Sequence, residues 1–185
     1  MEYHLNMPFL GAEISKLNCG DIVYLHGPLY TARDAAHKRI AHLVQLGLQL
    51  PFDLKGATIF YTGPCPAKPG EAIGPLGPTT SSRMDSFVEM MFNLGQRAMV
   101  GKGDRSPRVA ALCKQYGGVY FLGIGGAAAL TATTVTSANI VAFADLGTEA
   151  IRLLQVEGMK VFVGIDAKGN SLSEQEIPKY RRNHQ

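Results

Sequence analysis

The 185-residue sequence predicts an α/β domain. Two observations carry the prediction. Short apolar runs, Ile22-Val23-Tyr24-Leu25-His26, Ala57-Thr58-Ile59-Phe60-Tyr61, Ala98-Met99-Val100 and Gly118-Val119-Tyr120-Phe121-Leu122, have the length of buried strands. Between them lie segments whose apolar residues recur every three or four positions, the spacing of one helix face. In domains of this kind, the loops at strand ends gather functional groups.

In chain order, residues 22–26 form the first strand, ended by Gly27-Pro28. Thr31 then N-caps a helix whose buried face is Ala36, Ile40, Leu43 and Val44, and Gly47 closes it. The strand at 57–61 leads into Gly63-Pro64-Cys65-Pro66-Ala67-Lys68-Pro69-Gly70, too rich in proline and glycine for regular structure. Residues 81–94 form a second helix, with Met84, Phe87, Val88 and Met91 on one face. The strand at 98–100 precedes Gly101-Lys102-Gly103, and Ser106-Pro107 signals a third helix. Its stripe of Val109, Leu112, Cys113 and Tyr116 makes Cys113 a core residue. The strand at 118–122 enters a glycine-rich turn, while 131–136 is β-branched rather than helical. Residues 139–142 and 160–165 form further strands, and the turn Asp166-Ala167-Lys168-Gly169-Asn170 ends the last. No repeat or linker divides the chain, so residues 1–185 read as one domain with a C-terminal tail at 171–185.

Composition narrows the function classes. Hydrophobic residues at 46% and charged residues at 18% are ordinary for a globular chain. The net charge of +3 is mild, and basic residues are scattered apart from the tail run Lys179-Tyr180-Arg181-Arg182, so no nucleic-acid partner is expected. Cys19, Cys65 and Cys113 are odd in number and far apart, which argues against a disulfide scaffold and against a zinc or iron–sulfur site in this chain. Residues 1–8 lack the apolar core of a signal peptide, and no stretch is long enough to span a membrane. A reducing cytoplasm is the expected compartment.

Three cations stand where apolar runs give way to helix starts: Arg33, Arg83 and Lys102. A helix N-terminus favours an anion before any side chain is added, and a cation there strengthens the preference. Their repetition predicts convergence on one pocket for a substrate with more than one carboxylate. Each has a plainer reading, since Arg33 and Arg83 could face solvent and Thr79 or Thr80 could cap a helix. Lys102, between two glycines, is harder to explain by packing. Gly123-x-Gly125-x-x-Ala128 with Asp145 downstream loosely fits a dinucleotide fingerprint, but tight glycine packing is preferred. His26 and His37 are candidate acid–base groups, though a structural hydrogen bond suits His37 better.

Five segments carry a family resemblance: Tyr30-Thr31-Ala32-Arg33-Asp34-Ala35-Ala36-His37, Gly77-Pro78-Thr79-Thr80 with Arg83-Met84-Asp85, Gly101-Lys102-Gly103-Asp104-Arg105-Ser106, Gly125-Gly126-Ala127-Ala128 and Leu146-Gly147-Thr148-Glu149-Ala150-Ile151. In that order they resemble the beta subunit, or C-terminal domain, of class I iron–sulfur hydro-lyases, the fumarate hydratase and L(+)-tartrate dehydratase group. Cys65 stands where the family has a small residue, and Gly158-Met159-Lys160 replaces a usual Phe-Pro.

The resemblance implies a swivelling β/β/α fold and a partner alpha subunit holding a [4Fe–4S] cluster, with none bound by this chain alone. It also implies an alpha2beta2 assembly acting on a small dicarboxylate. Arg33, Arg83 and Lys102 then match substrate-carboxylate ligands, Thr79 matches a catalytic hydroxyl, and no metal ligand is expected here. Fumarate hydratase is the leading activity, with L(+)-tartrate dehydratase as the near alternative. A non-catalytic carboxylate-binding or scaffold protein is the alternative of another class.

Overall fold

The computed structural model describes residues 1–181. Strands β1 (Glu2–Asn6), β2 (Ile22–Thr31), β3 (Thr58–Phe60), β4 (Ala98–Gly101) and β5 (Val119–Leu122) lie side by side in that order, all parallel. β6 (Val135–Ala142) and the 15-residue β7 (Ile151–Ile165) complete the sheet. β7 runs antiparallel to β5, to β6 and also to β2, from Tyr30↔Leu153 to Ile22↔Phe162. That last pairing closes β2, β3, β4, β5 and β7 into a ring flanked by β1 and β6.

Strand periodicity divides the side chains between two cores. Leu25, Phe60, Val100, Phe121 and Val163 pack together on one face of the strands. Their alternating neighbours Ile59, Met99 and Tyr120 face the other way, joined by Ile165, which a register shift in the β5–β7 pairing places opposite Tyr120. Helix α1 (Asp34–Gln45), a 3-10 helix (Ser81–Phe87) running into α2 (Val88–Asn93), and α3 (Pro107–Tyr116) cover this outer face with Ala36, Ile40, Met84, Val88, Met91, Val109 and Cys113. α4 (Ala128–Thr133), a 3-10 turn (Ala144–Glu149) and α5 (Leu172–Tyr180) complete the described chain. Among the described residues no helix is long and apolar enough to cross a membrane.

The mixed α/β class agrees with the sequence, but several elements differ from expectation. β2 does not stop at Gly27-Pro28; it bulges between Leu25 and Gly27, where Gly27 has φ +100°, and continues to Thr31. Pro28 is tolerated because that stretch is paired with β7 alone, beyond the end of β1 and before the start of β3. Thr31 does not cap α1. It is buried at the end of β2, where Oγ1 donates to the Ala150 carbonyl (3.3 Å) and accepts from Arg152 N (3.1 Å); Arg33 takes the N-cap position.

The single helix expected at 81–94 starts as a 3-10 helix because its first turn is tied sideways to the end of β4. Ser81 N donates to the Lys102 carbonyl (3.0 Å), and Lys102 N donates to Ser81 Oγ (3.0 Å). Residues 128–133 are helical despite their threonines, and Thr131 Oγ1 bonds back to the Ala127 carbonyl at 3.1 Å. β6 and β7 are both longer than expected. The segment 171–185, expected as a tail, is helical over Leu172–Tyr180, and residues 182–185, with Arg182 of the basic run, lie outside the described residues.

Candidate functional site

β2, β3 and β4 are parallel neighbours, so the connections leaving them emerge at one end of the ring. Arg33 follows β2, Thr79 and Arg83 lie on the connection after β3, and Lys102 follows β4. Side-chain contacts link the first three. Arg83 Nη2 donates to Thr79 Oγ1 at 2.7 Å, and Arg83 Nε lies 3.1 Å from Asp34 Oδ1. The other Asp34 oxygen is 3.8 Å from Arg33 Nε, so the two arginines flank one carboxylate. Arg33 Nη2 is also 3.9 Å from Glu149 Oε1, while Glu149 Oε2 accepts from Ala35 N at 2.9 Å.

Lys102 joins them through its backbone. Thr79 N donates to the Tyr61 carbonyl (2.7 Å), and Lys102 N donates to the Thr79 carbonyl (3.2 Å). The Lys102 side chain is exposed and forms no ion pair among the described residues. Room for the Arg33 guanidinium depends on Gly63: a Cβ there would sit 3.1 Å from Arg33 Nη1 and 3.2 Å from the Thr148 carbonyl. Thr79 is half-buried and Thr80 exposed; Thr80 holds the N-cap position of the 3-10 helix without a side-chain cap.

Beneath these residues lies a polar layer that sequence reasoning did not assign. The Arg105 side chain is fully buried, with Nε 2.6 Å from Asp85 Oδ1 and its guanidinium over the rings of Tyr120 and Tyr61, 4.8 and 5.4 Å from their centroids. Asp85 Oδ2 accepts from Ser106 N at 2.8 Å, which fixes the start of α3. The Tyr120 hydroxyl lies 3.0 Å from both Ser81 Oγ and the Gly103 carbonyl. Burial pushes the Tyr120 phenol up to about 12 and raises that of Tyr61, so both stay neutral and act as donors or packing surfaces. The loop carrying Lys102 is thus held from both sides. Asp34 and Asp85 offered a faint signal in the sequence by standing within two residues of Arg33 and Arg83. Arg105 offered none, since an arginine before a helix start ordinarily faces solvent.

His37 is fully buried. Its Nδ1 donates to the Arg33 carbonyl at 2.8 Å, and its ring packs against Tyr61 and Phe87. Burial pulls its pKa down to about 4, so the ring is neutral near pH 7 and braces the backbone at Arg33. His26 instead lies on β2 beside His4 of β1, with ring nitrogens 3.1 Å apart. In the glycine-rich turn, a Cβ on Gly123 would meet Pro78 at 3.2 Å, a packing reason for glycine there.

The cysteines do not form a cluster-binding set. Cys19 donates to the Asn170 carbonyl (3.0 Å), with its thiol pushed up to about 11 by burial. Cys113 is a core residue raised to about 12 by burial, and Cys65 is exposed on its loop. Among the described residues, no three His, Cys, Asp or Glu side chains are disposed to hold a metal. An iron–sulfur cluster therefore does not fit the described donors of this chain.

Comparison with known proteins places these features in a family. A model described as the fumarase C-terminus matches residues 1–176. The chain is 39% identical over 181 residues to the putative L(+)-tartrate dehydratase subunit beta of Methanocaldococcus jannaschii, covering 95% of this chain and 92% of that protein. It is 34% identical over 177 residues to the L(+)-tartrate dehydratase subunit beta of Escherichia coli, covering 93% and 87%. It is 38% identical over 162 residues to fumarate hydratase 2 of Leishmania major, covering 86% of this chain but only 28% of that protein. The chain thus spans less than a third of that fumarate hydratase and nearly the whole of the beta subunits. It belongs to the fumarase C-terminus family.

Proposed function

We propose that this chain is the beta subunit of a class I [4Fe–4S] hydro-lyase, acting as a fumarate hydratase on a four-carbon dicarboxylate. The observation that carries the reading is the arrangement of Arg33 and Arg83 about Asp34, with Thr79 Oγ1 on Arg83 Nη2 and the Lys102 backbone bonded to Thr79. A dicarboxylate needs cations for two carboxylates, and paired guanidiniums supply directional contacts that a lone ammonium does not.

Hydration of fumarate adds hydroxide to one alkene carbon and a proton to its neighbour, giving (S)-malate. In the reverse direction, loss of that proton builds negative charge towards the adjoining carboxylate. Fixed cations at that carboxylate stabilise it. Arg33, Arg83 and Lys102 take this role, and Thr79 handles the proton. A hydroxyl is a weak base alone; Arg83 stabilises negative charge on Oγ1, and a group from the partner completes the proton path.

We assign the cluster to an alpha subunit, in an alpha2beta2 assembly, because the cysteines of this chain do not meet. The ring of β2, β3, β4, β5 and β7 with its outer helices supports the swivelling β/β/α assignment, within a single domain. Three free thiols suit a reducing cytoplasm.

One observation favours a second reading, L(+)-tartrate dehydratase. The two beta subunits carrying that name are covered over 92% and 87% of their length. Co-expression with an alpha partner, anaerobic cluster reconstitution, and assay on fumarate, malate and L(+)-tartrate test both. Interconversion of fumarate and malate supports the first reading, and oxaloacetate formed from tartrate supports the second. No turnover of any of the three leaves a non-catalytic carboxylate-binding protein.

A further inference from the structure

We propose that Asp34 is a positioning residue, its charge holding the Arg83 guanidinium so that Nη2 binds Thr79 and Nη1 faces a ligand carboxylate. This inference rests on the dicarboxylate reading above and adds to it the residue that orients the site. A guanidinium carries five N–H donors, one on Nε and two on each of Nη1 and Nη2. Asp34 Oδ1 sits 3.1 Å from Nε as an ion pair, and Thr79 Oγ1 accepts from Nη2 at 2.7 Å. Arg83 Nη1 has no hydrogen-bond acceptor among the described residues, and the side chain is 45% exposed. Nη1 is left for a ligand.

Asp34 is well placed to do this. It lies in the first turn of α1, where the helix N-terminus favours a carboxylate. Its second oxygen is 3.8 Å from Arg33 Nε, a buried donor with no hydrogen-bond partner of its own. One negative charge therefore lies between two positive ones that would otherwise repel each other. Holding a half-exposed arginine in one orientation costs side-chain entropy, which the Asp34 charge beside it helps offset. Asp34 thus acts on Thr79 through Arg83, and without that anchor both the carboxylate contact and the hydroxyl geometry loosen.

The test uses the full chain and succinate, a saturated four-carbon dicarboxylate, with the Arg83 Nε–H resonance read by NMR. In the wild-type protein we expect an ordered Nε–H signal and saturable succinate binding that Arg83→Ala abolishes. Asp34→Asn should lose the ordered signal and weaken binding roughly 2- to 5-fold, the size expected for a lost part-exposed ion pair. Asp34→Glu keeps the charge but moves it by one methylene, and should fall between the two. An unchanged Arg83 signal in Asp34→Asn overturns the proposal, as does tighter succinate binding, which would make Asp34 a competing anion instead. If Asp34→Asn fails to fold, wild-type signal and affinity in Asp34→Glu overturn it equally. If wild-type protein and Arg83→Ala bind succinate equally poorly, the dicarboxylate reading fails; the ligand-free Arg83 signal still decides the role of Asp34.

Discussion

Thr79 could have capped a helix or faced a ligand, and its contacts show no capping. Its hydroxyl accepts from Arg83, while Thr80 occupies the N-cap position without using its side chain. In the reconstituted enzyme, Thr79→Ala should lower kcat by roughly two to four orders of magnitude. Thermal stability should change by no more than about 1 kcal/mol, the usual worth of one half-exposed hydrogen bond. Thr80→Ala should leave both nearly intact. Loss of turnover in Thr80→Ala alone would move the assignment by one residue; normal turnover in both would transfer the proton chemistry wholly to the partner. Arg83→Lys should raise KM about 10-fold or more and lower kcat, because one ammonium cannot reach Asp34, Thr79 and a carboxylate in fixed geometry. Near-normal kinetics in that variant would show that charge alone suffices.

The start of α3 shows how unequal ion pairs are within one element. Arg105 is fully buried against Asp85, Tyr61 and Tyr120, whereas Arg108, one turn later, meets Glu89 with 72% of its side chain exposed. Arg105→Met strands the Asp85 carboxylate and should cost about 3–5 kcal/mol in chemical denaturation. Arg108→Met should cost about 0–1 kcal/mol. Equal losses would mean that the buried layer does not hold the Lys102 loop. Much of the element pattern was legible: Ser106-Pro107 opens α3, and Gly47 takes a left-handed conformation just past α1, with φ +67°. The errors fell where tertiary pairing outweighs local preference. β2 crosses a glycine–proline pair because β7 holds it, and the segment after Thr80 tightens into a 3-10 helix because Ser81 is bonded to Lys102.

Across the whole molecule, the closed ring and its outer helices leave His37 neutral and fully buried, which couples folding to pH. Its pKa of about 4 lies below the ordinary 6.5, so the unfolded chain takes up a proton that the folded one refuses. The contribution is complete above about pH 6.5, is lost as pH falls towards 4, and reaches on the order of 3 kcal/mol. Urea unfolding at pH 7 and pH 4.5 should show a smaller loss in His37→Gln than in the wild type; equal losses would place the pH dependence elsewhere. A second expectation follows from the separated cysteines. Purified alone under anaerobic conditions, the chain should fold but bind neither iron nor sulfide in stoichiometric amount and hydrate no fumarate. A stoichiometric cluster with activity would refute the two-subunit proposal.

The candidate site segments could be picked out in the linear sequence because cations, glycines and hydroxyls at strand-to-helix junctions are local features with local physical causes. Arg33, Arg83 and Lys102 could be named as candidates from such junctions, and Thr79 from the family resemblance. Their arrangement could not, because it depends on parallel pairing of β2, β3 and β4, which joins residues 29 positions apart (Tyr30↔Ile59) and 40 apart (Thr58↔Ala98). The same holds for Asp34 between two arginines, Arg105 between two tyrosines, and the ring closed by β7 against β2. Whether a charge faces water, a ligand or a buried partner depends on what the fold packs around it, and residue type alone does not carry that information.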